Sequence, residues 1–363
     1  MGGTTVISEQ SMLQTRIHSE EGSNLARKSN KKRINLALQG GGAHGAFTWG
    51  VLDRLLEDGR VEIAAISGTS AGAMNAAALA DGLMAGGRKE ACAHLDRLWR
   101  GIARLAGVGP WLRGPLAVAT GSWSVETSPM YWAVENMQRL LSPYQFNPMN
   151  INPVQEALEA EIDFERVRSC DQVQLFVSAT NVRTGRVRVF ERGEITPDAI
   201  MASAAIPHVY QAVEIDGEAY WDGGFMGNPS LFPLIYNNQF TDLAIVQINP
   251  IERDEVPTTP SEITNRMNEI SFNSSLLREL RAISFVTDLI DNGELDPERH
   301  KRMYLHRVPP PKEIIEIGAS SKFNAEMAFL EHLRDLGRES ATRWLDETYP
   351  AIGHHSTIDF TIE

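Results

Sequence analysis

The sequence predicts an α/β fold in which a central, mostly parallel sheet is flanked by helices, with additional helices at its C-terminal end, and three observations predict it. Two strand-like runs, Ile34–Gln39 and Val61–Ile66, are separated by one amphipathic helical stretch, the pattern of parallel neighbours joined by a right-handed crossover. Each run ends in a glycine-bearing turn that opens a helix. A third apolar run, Leu243–Ile248, has the character of a strand buried on both faces and stops at Asn249-Pro250.

Taken in order, Ile34-Asn35-Leu36-Ala37-Leu38-Gln39 alternates in hydrophobicity until glycines end it. After Gly45, the side chains of Phe47, Val51, Leu52, Leu55 and Leu56 fall on one helical face and those of Asp53, Arg54, Glu57 and Asp58 on the other, with Gly59 as the cap. The second strand leads into Gly68-Thr69-Ser70-Ala71-Gly72 and an alanine-rich helix through about Ala80. Val173–Ala179 and Val187–Phe190 read as strands turning at Thr184-Gly185, and Ala219-Tyr220-Trp221 runs into Asp222-Gly223-Gly224. Glu252–Pro260 is a surface connector. Beyond it Ile263, Met267, Ile270, Leu277, Leu280 and Ile283 mark one amphipathic helix and Met327–Trp344 another. The expected division is a disordered tail over 1–33, a main α/β domain over 34–250, and a mainly helical extension over 251–363 packed on the same domain.

Composition narrows the function. A formal charge of -13 at pH 7 would repel a phosphate backbone, so nucleic acid is not an expected partner. The two cysteines, Cys92 and Cys170, permit at most one bridge, and a reducing, cytoplasmic location is the default. No run approaches the ~20 apolar residues of a membrane-spanning helix, and the tail lacks the apolar stretch of a signal peptide. Neither a histidine-glutamate zinc spacing nor a calcium-loop pattern occurs, so no metal or other cofactor is expected.

Two glycine turns carry the chemistry. In Gly68-Thr69-Ser70-Ala71-Gly72, glycines flanking the serine let strand turn to helix so sharply that the hydroxyl projects alone. The plainer alternative is a glycine turn with a capping serine. Gly40-Gly41-Gly42-Ala43-His44-Gly45 exposes successive N–H groups at the positive end of a helix, where an oxyanion would be stabilised. The same six residues satisfy G-x-G-x-x-G, which makes a dinucleotide-binding oxidoreductase the rival reading. That rival needs an acidic residue at the end of the second strand; the chain has Ile66-Ser67-Gly68 there, and Glu62 begins the strand.

A serine nucleophile needs a base. Asp222 stands at a strand end before Gly223 and Gly224, which free the chain to aim a short carboxylate at a neighbouring loop, although Asp-Gly is also a common hairpin turn. An ordinary aspartate, with a pKa of about 3.9, is a poor base, so burial would have to raise it or strong oxyanion stabilisation would have to compensate. His332, His354 and His355 follow Asp222 in the order of an α/β-hydrolase triad. Ser70, however, follows only the second strand, too early for that fold, and none of these histidines lies in a glycine-flanked loop.

Gly-Gly-Gly-x-x-Gly at 40–45, Gly-x-Ser-x-Gly at 68–72 and Asp-Gly-Gly at 222–224 together resemble the patatin-like phospholipase family of the bacterial type. The resemblance runs from about Ile34 to Pro233, and Ala202-Ser203-Ala204-Ala205-Ile206-Pro207 is similar to the family's segment upstream of the aspartate. It implies a Rossmann-like patatin fold and a Ser-Asp dyad of Ser70 and Asp222, with an oxyanion hole drawn from Gly40, Gly41, Gly42 and Ala71. Gly45, Gly68, Gly72, Gly223 and Gly224 are then motif glycines. The implied activity is hydrolysis of an acyl lipid through an acyl-enzyme, with acyl transfer to another alcohol as the alternative on the same residues. One position departs from the pattern: the family often has Arg or Lys where this chain has His44, which leaves open any fixed positive charge near the oxyanion.

Arg97–Val125 contains no acid. It carries Arg97, Arg100, Arg104 and Arg113 among Leu98, Trp99, Ile102, Leu105, Trp111, Leu112, Leu116 and Trp123, a mixture suited to a lipid interface and hence to a peripheral membrane contact. The equal alternative is a core-packed helix followed by a loop containing Gly and Pro.

Overall fold

The computed structural model describes residues 31–106, 113–126 and 128–358. Eight strands, β1 (Lys32–Leu38), β2 (Val61–Gly68), β3 (Gln174–Asn181), β4 (Val187–Glu191), β5 (Val213–Ile215), β6 (Glu218–Asp222), β7 (Asp242–Val246) and β8 (Tyr304–Val308), form one sheet among the described residues. Its order is β5-β6-β3-β2-β1-β7-β8, with β4 also paired to β3. From β3 through β8 every neighbouring pair is parallel, whereas the pairs of β3 with β4, β3 with β6 and β5 with β6 are antiparallel. The fold is thus the expected Rossmann-like sheet of mostly parallel strands between helices.

Alternation along β1 assigns its two faces. Leu36 and Leu38 enter the larger apolar cluster with helices α1 (Gly45–Asp58), α2 (Ala71–Gly86), α3 (Arg88–Ala106) and, at the end of the chain, Met327–Thr348. Ala37 between them faces a second cluster with Phe176, Leu243 and Ile245, closed by Leu276, Leu280 and Ile283 of the long helix Pro260–Asp291. That helix starts at a capping box of Thr259 and Glu262 with Pro260 in its first turn. Strands β1, β2 and β3 follow one another in one direction across the sheet, and β7 returns to the other side of β1. The strand order reverses at the carboxyl ends of β1 and β7, the position where sheets of this kind bind ligands.

Three regions add detail to the sequence reading. β1 begins at Lys32, inside the expected tail, because the Lys32 ammonium donates to the carbonyl oxygens of Tyr349 and Ile352 at 2.8 Å each; residues 1–30 of that tail lie outside the described residues. The extension after residue 250 is not only helical, since Tyr304–Val308 adds β8 beside β7. His306, fully buried there between Asp242 and Thr357, hides the strand from a reading by hydrophobicity.

The third region is Arg97–Val125. Leu98, Trp99 and Ile102 are buried, and the Trp99 indole N–H donates to Asn75 Oδ1 at 3.0 Å. Arg100 pairs with Asp96 and Glu331, Arg104 with Glu161, and Arg113 with Glu326 while stacking on Trp123. Leu98, Trp99 and Ile102 thus belong to the core, with ion-paired arginines at its margin; Trp111 and Leu112 lie outside the described residues. Among the described residues no helix is long and apolar enough to cross a membrane.

Candidate active site

The turn between β2 and α2 bends at Ser70, whose φ of 54° and ψ of -122° lie where side-chain-bearing residues are strained by about 1–3 kcal/mol. Its neighbours hold it there. Thr69 donates its N–H to Leu38 O at 3.2 Å and its hydroxyl to Gly227 O at 2.6 Å, and the Ser70 N–H donates to Ser203 Oγ at 2.8 Å. At Gly72 a Cβ would collide with the Leu38 carbonyl oxygen, so only glycine lets α2 begin directly on the end of β1. Gly68 likewise has no room beside Ala73 N.

The glycine loop after β1 lies against this turn. A Cβ on Gly40 would stand 2.7 Å from Ser70 Cβ, which puts the loop beside the serine. Among the described residues the N–H groups of Gly41, Gly42 and Ala71 donate to no protein acceptor and remain available to a ligand. Gly40 differs from the expectation. Its N–H is committed to Asn228 Oδ1 at 2.7 Å, which removes it from the candidate oxyanion donors and makes it an anchor of the loop.

Asp222 ends β6 and is 2% exposed, next to Ser70 at 8%. Thr180 donates its hydroxyl to the Asp222 carbonyl at 2.8 Å, and the Asp222 N–H donates to Ala205 O at 2.9 Å. The carboxyl accepts Gly224 N–H at 2.7 Å, and the Ser70 side chain lies near enough to favour its ionised form. Burial pushes its pKa up to about 7, against the opposing pull of Gly224, Ser70 and the nearby Lys322. Gly223 packs on Ser178 O and Gly45 on Ala71, so the remaining motif glycines mark close backbone contacts around the same centre.

His44 carries no charge. Burial, and then Lys322, lower its pKa to about 3, and its Nε2 lies 2.7 Å from Ser321 Oγ. Ser321 gives its own proton to Gly318 O at 2.7 Å, so His44 is the donor in that pair. His332 pairs with Glu313, and among the described residues neither it nor His354 or His355 bonds to Asp222 or Ser70. At the end of β2, Ser67 gives its hydroxyl to Ser230 O at 2.6 Å, with no acidic side chain for a ribose.

Several residues of the site escaped the sequence reading. Asn228 and Ser203 anchor the two turns, and Gln39, Asn249 and Lys322 support the glycine loop from below. Ser203 lies within a segment already singled out for its family resemblance, and Asn249 terminates a strand. Nothing in the sequence alone distinguishes Asn228 or Lys322.

A family model described as patatin-like phospholipase matches residues 36–235, more than half of the chain, and the chain belongs to that family. Uncharacterized NTE family proteins of Mycobacterium bovis and Mycobacterium tuberculosis are 29% identical to it over 248 residues, 66% of this chain and 57% of each relative. The chain thus matches little more than half the length of these relatives. Among solved structures, VipD from Legionella pneumophila aligns with 87% of this chain and 67% of its own at 15% identity and a TM-score of 0.38. ExoU of Pseudomonas aeruginosa, solved with SpcU, aligns with 86% of this chain and 53% of its own at 14% identity and a TM-score of 0.29. Both likenesses are too distant to bear on chemistry.

Proposed function

We propose that the protein is a serine acyl hydrolase of acyl lipids that works through a Ser-Asp dyad. The observation that carries the reading is the buried Asp222 carboxyl, near enough to the Ser70 side chain to feel it and with its pKa raised by burial to about 7. A carboxylate so tuned can accept a proton near neutrality, as an exposed aspartate cannot. Ser70 Oγ attacks the ester carbonyl carbon as its proton passes to Asp222, and the N–H groups of Gly41, Gly42 and Ala71 receive the oxyanion. Asp222 then gives the proton to the departing alcohol oxygen. In the second half, water attacks the acyl-enzyme, its proton goes to Asp222, and Ser70 recovers a proton as the carboxylic acid leaves.

The test is incubation with a mixed lipid extract and mass spectrometry of the products, alongside labelling by a fluorophosphonate probe. The wild type should release fatty acid and take the label, and Ser70→Ala should do neither while keeping its circular-dichroism spectrum. Undiminished fatty-acid release by folded Ser70→Ala would remove Ser70 as the nucleophile.

A further inference from the structure

The 3-10 turn Ala319–Phe323 lies outside the residues matched by the family model, yet it rests on the glycine loop. A side chain at Gly42, where φ is +57°, would meet the Lys322 carbonyl oxygen at 2.5 Å, and the preceding Ser321 holds His44. The Lys322 ammonium donates to Asn249 Oδ1 at 2.7 Å, and Asn249 Nδ2 donates in turn to Gly40 O at 2.8 Å. Asn249 is fully buried and fixed by Gln39, whose Oε1 accepts the N–H groups of Ile248 and Asn249 at 2.8 and 2.9 Å. A continuous run of hydrogen bonds therefore ties Lys322 to the glycine loop at the carboxyl ends of β1 and β7.

The charges around Lys322 do not cancel it. Among the described residues it has no ion-pair partner. Glu269, from the long helix, is already held by Arg253 at 2.5 Å and Arg266 at 3.2 Å. His44, from the glycine loop, is neutral. That leaves Asp222, at the end of β6, as the acid that senses Lys322 without a cation of its own. Desolvation lowers the lysine pKa to about 8, with Glu269 and Asp222 raising it and Arg253 lowering it, so it stays largely charged at neutral pH. A half-buried ammonium without an ion pair still carries a cost, and such groups concentrate where their charge is used.

We propose that Lys322 is a positioning residue of the acyl-transfer site: through Asn249 it holds the Gly40–Gly42 loop in place, and it sets a positive charge against that loop. The inference rests on the roles given above to Ser70 and Asp222. It adds a part supplied from beyond the family-matched residues.

The experiment compares wild type, Lys322→Met, Lys322→Gln and Lys322→Arg on a soluble short-chain ester across pH, with Ser70→Ala in parallel. Loss of the charge should lower kcat by about ten- to a hundredfold with KM within about twofold. It should also move the acid limb of kcat/KM to higher pH, because the lysine holds the Asp222 pKa down. Lys322→Arg should restore both. Lys322→Gln carries the same expectation if Lys322→Met does not fold. An acid limb that coincides with that of wild type in a folded, neutral variant overturns the proposal, even if the melting temperature falls. A wild-type profile in these variants together with an inactive Ser70→Ala sinks Lys322 alone; an active Ser70→Ala sinks the dyad beneath it.

Discussion

The Ser203 hydroxyl oxygen lies 2.8 Å from the backbone nitrogen of Ser70 and accepts its hydrogen bond. Two residues further on, the carbonyl of Ala205 accepts the N–H of Asp222 at 2.9 Å. One short segment at the end of the helix Pro197–Ala204 therefore grips both turns, and both grips are buried. The distance between serine and aspartate is set by this segment as much as by β2 and β6 themselves.

Ser203→Ala should leave the Ser70 N–H buried without an acceptor, at a cost of about 1–3 kcal/mol. The expected result is a lower melting temperature with kcat down about tenfold and KM nearly unchanged, because the turn loosens while the rest of the site stays. An unaltered kcat on a soluble ester would show that the elbow is held without this bond.

Ser70→Gly and Ser70→Ala should both be inactive and differ in stability. At φ 54° and ψ -122° a glycine relaxes a strain that alanine keeps, so Ser70→Gly should be more stable than Ser70→Ala by about 1 kcal/mol in urea titration. Equal midpoints would mean that the turn is not strained.

The legible part of the site was local in sequence. Ser70 and Asp222 announce themselves because glycines one or two residues away report the backbone they need, and β1, β2 and β7 announce themselves by apolar runs of strand length. What stayed hidden depends on long-range contact. Asn228 acts on Gly40 from 188 residues away, and Lys322 on Asn249 from 73, with no periodicity to flag either. β8 is hidden because His306 and Arg307 break its apolar pattern, and sequence does not say which arginines of Arg97–Val125 find carboxylates. Gly40 shows the same limit on a smaller scale: the motif marks its N–H as a donor, and only the fold reveals that Asn228 has taken it.

His332→Ala, His354→Ala and His355→Ala should each keep kcat/KM within about threefold of wild type, since His332 pairs with Glu313 and the other two lie exposed after the last helix. A loss of about a thousandfold in any one of them would favour a triad over the dyad.

Gly72→Ala and Gly185→Ala separate close packing from backbone conformation. Gly185 has a φ of +65° and open space around it, so alanine there should cost about 1 kcal/mol. Gly72 has a Cβ position filled by the Leu38 carbonyl, and β1, α2 and the elbow would all have to move. Gly72→Ala should therefore yield insoluble or inactive protein. A folded, active Gly72→Ala would show that α2 can stand away from β1.

The Asp222 carboxyl links activity and stability with opposite signs. Its pKa, raised from 3.8 to about 7, means that between those values the folded protein binds a proton that the unfolded chain releases. Stability from this group is complete below pH 3.8 and is lost as pH rises through 7, while the ionised form needed as a base accumulates over the same range. An asparagine in place of Asp222 would accept the Gly224 N–H as the aspartate does but cannot ionise. Asp222→Asn should therefore melt higher than wild type at pH 8 by about 2–5 °C and no higher at pH 4. The same variant should lose about a thousandfold or more in kcat at every pH, and the wild-type kcat/KM should rise along a limb centred near pH 7. A wild-type limb centred near pH 4, with no gain in melting temperature for Asp222→Asn at pH 8, would show that Asp222 is an ordinary carboxylate and that the proton from Ser70 goes elsewhere.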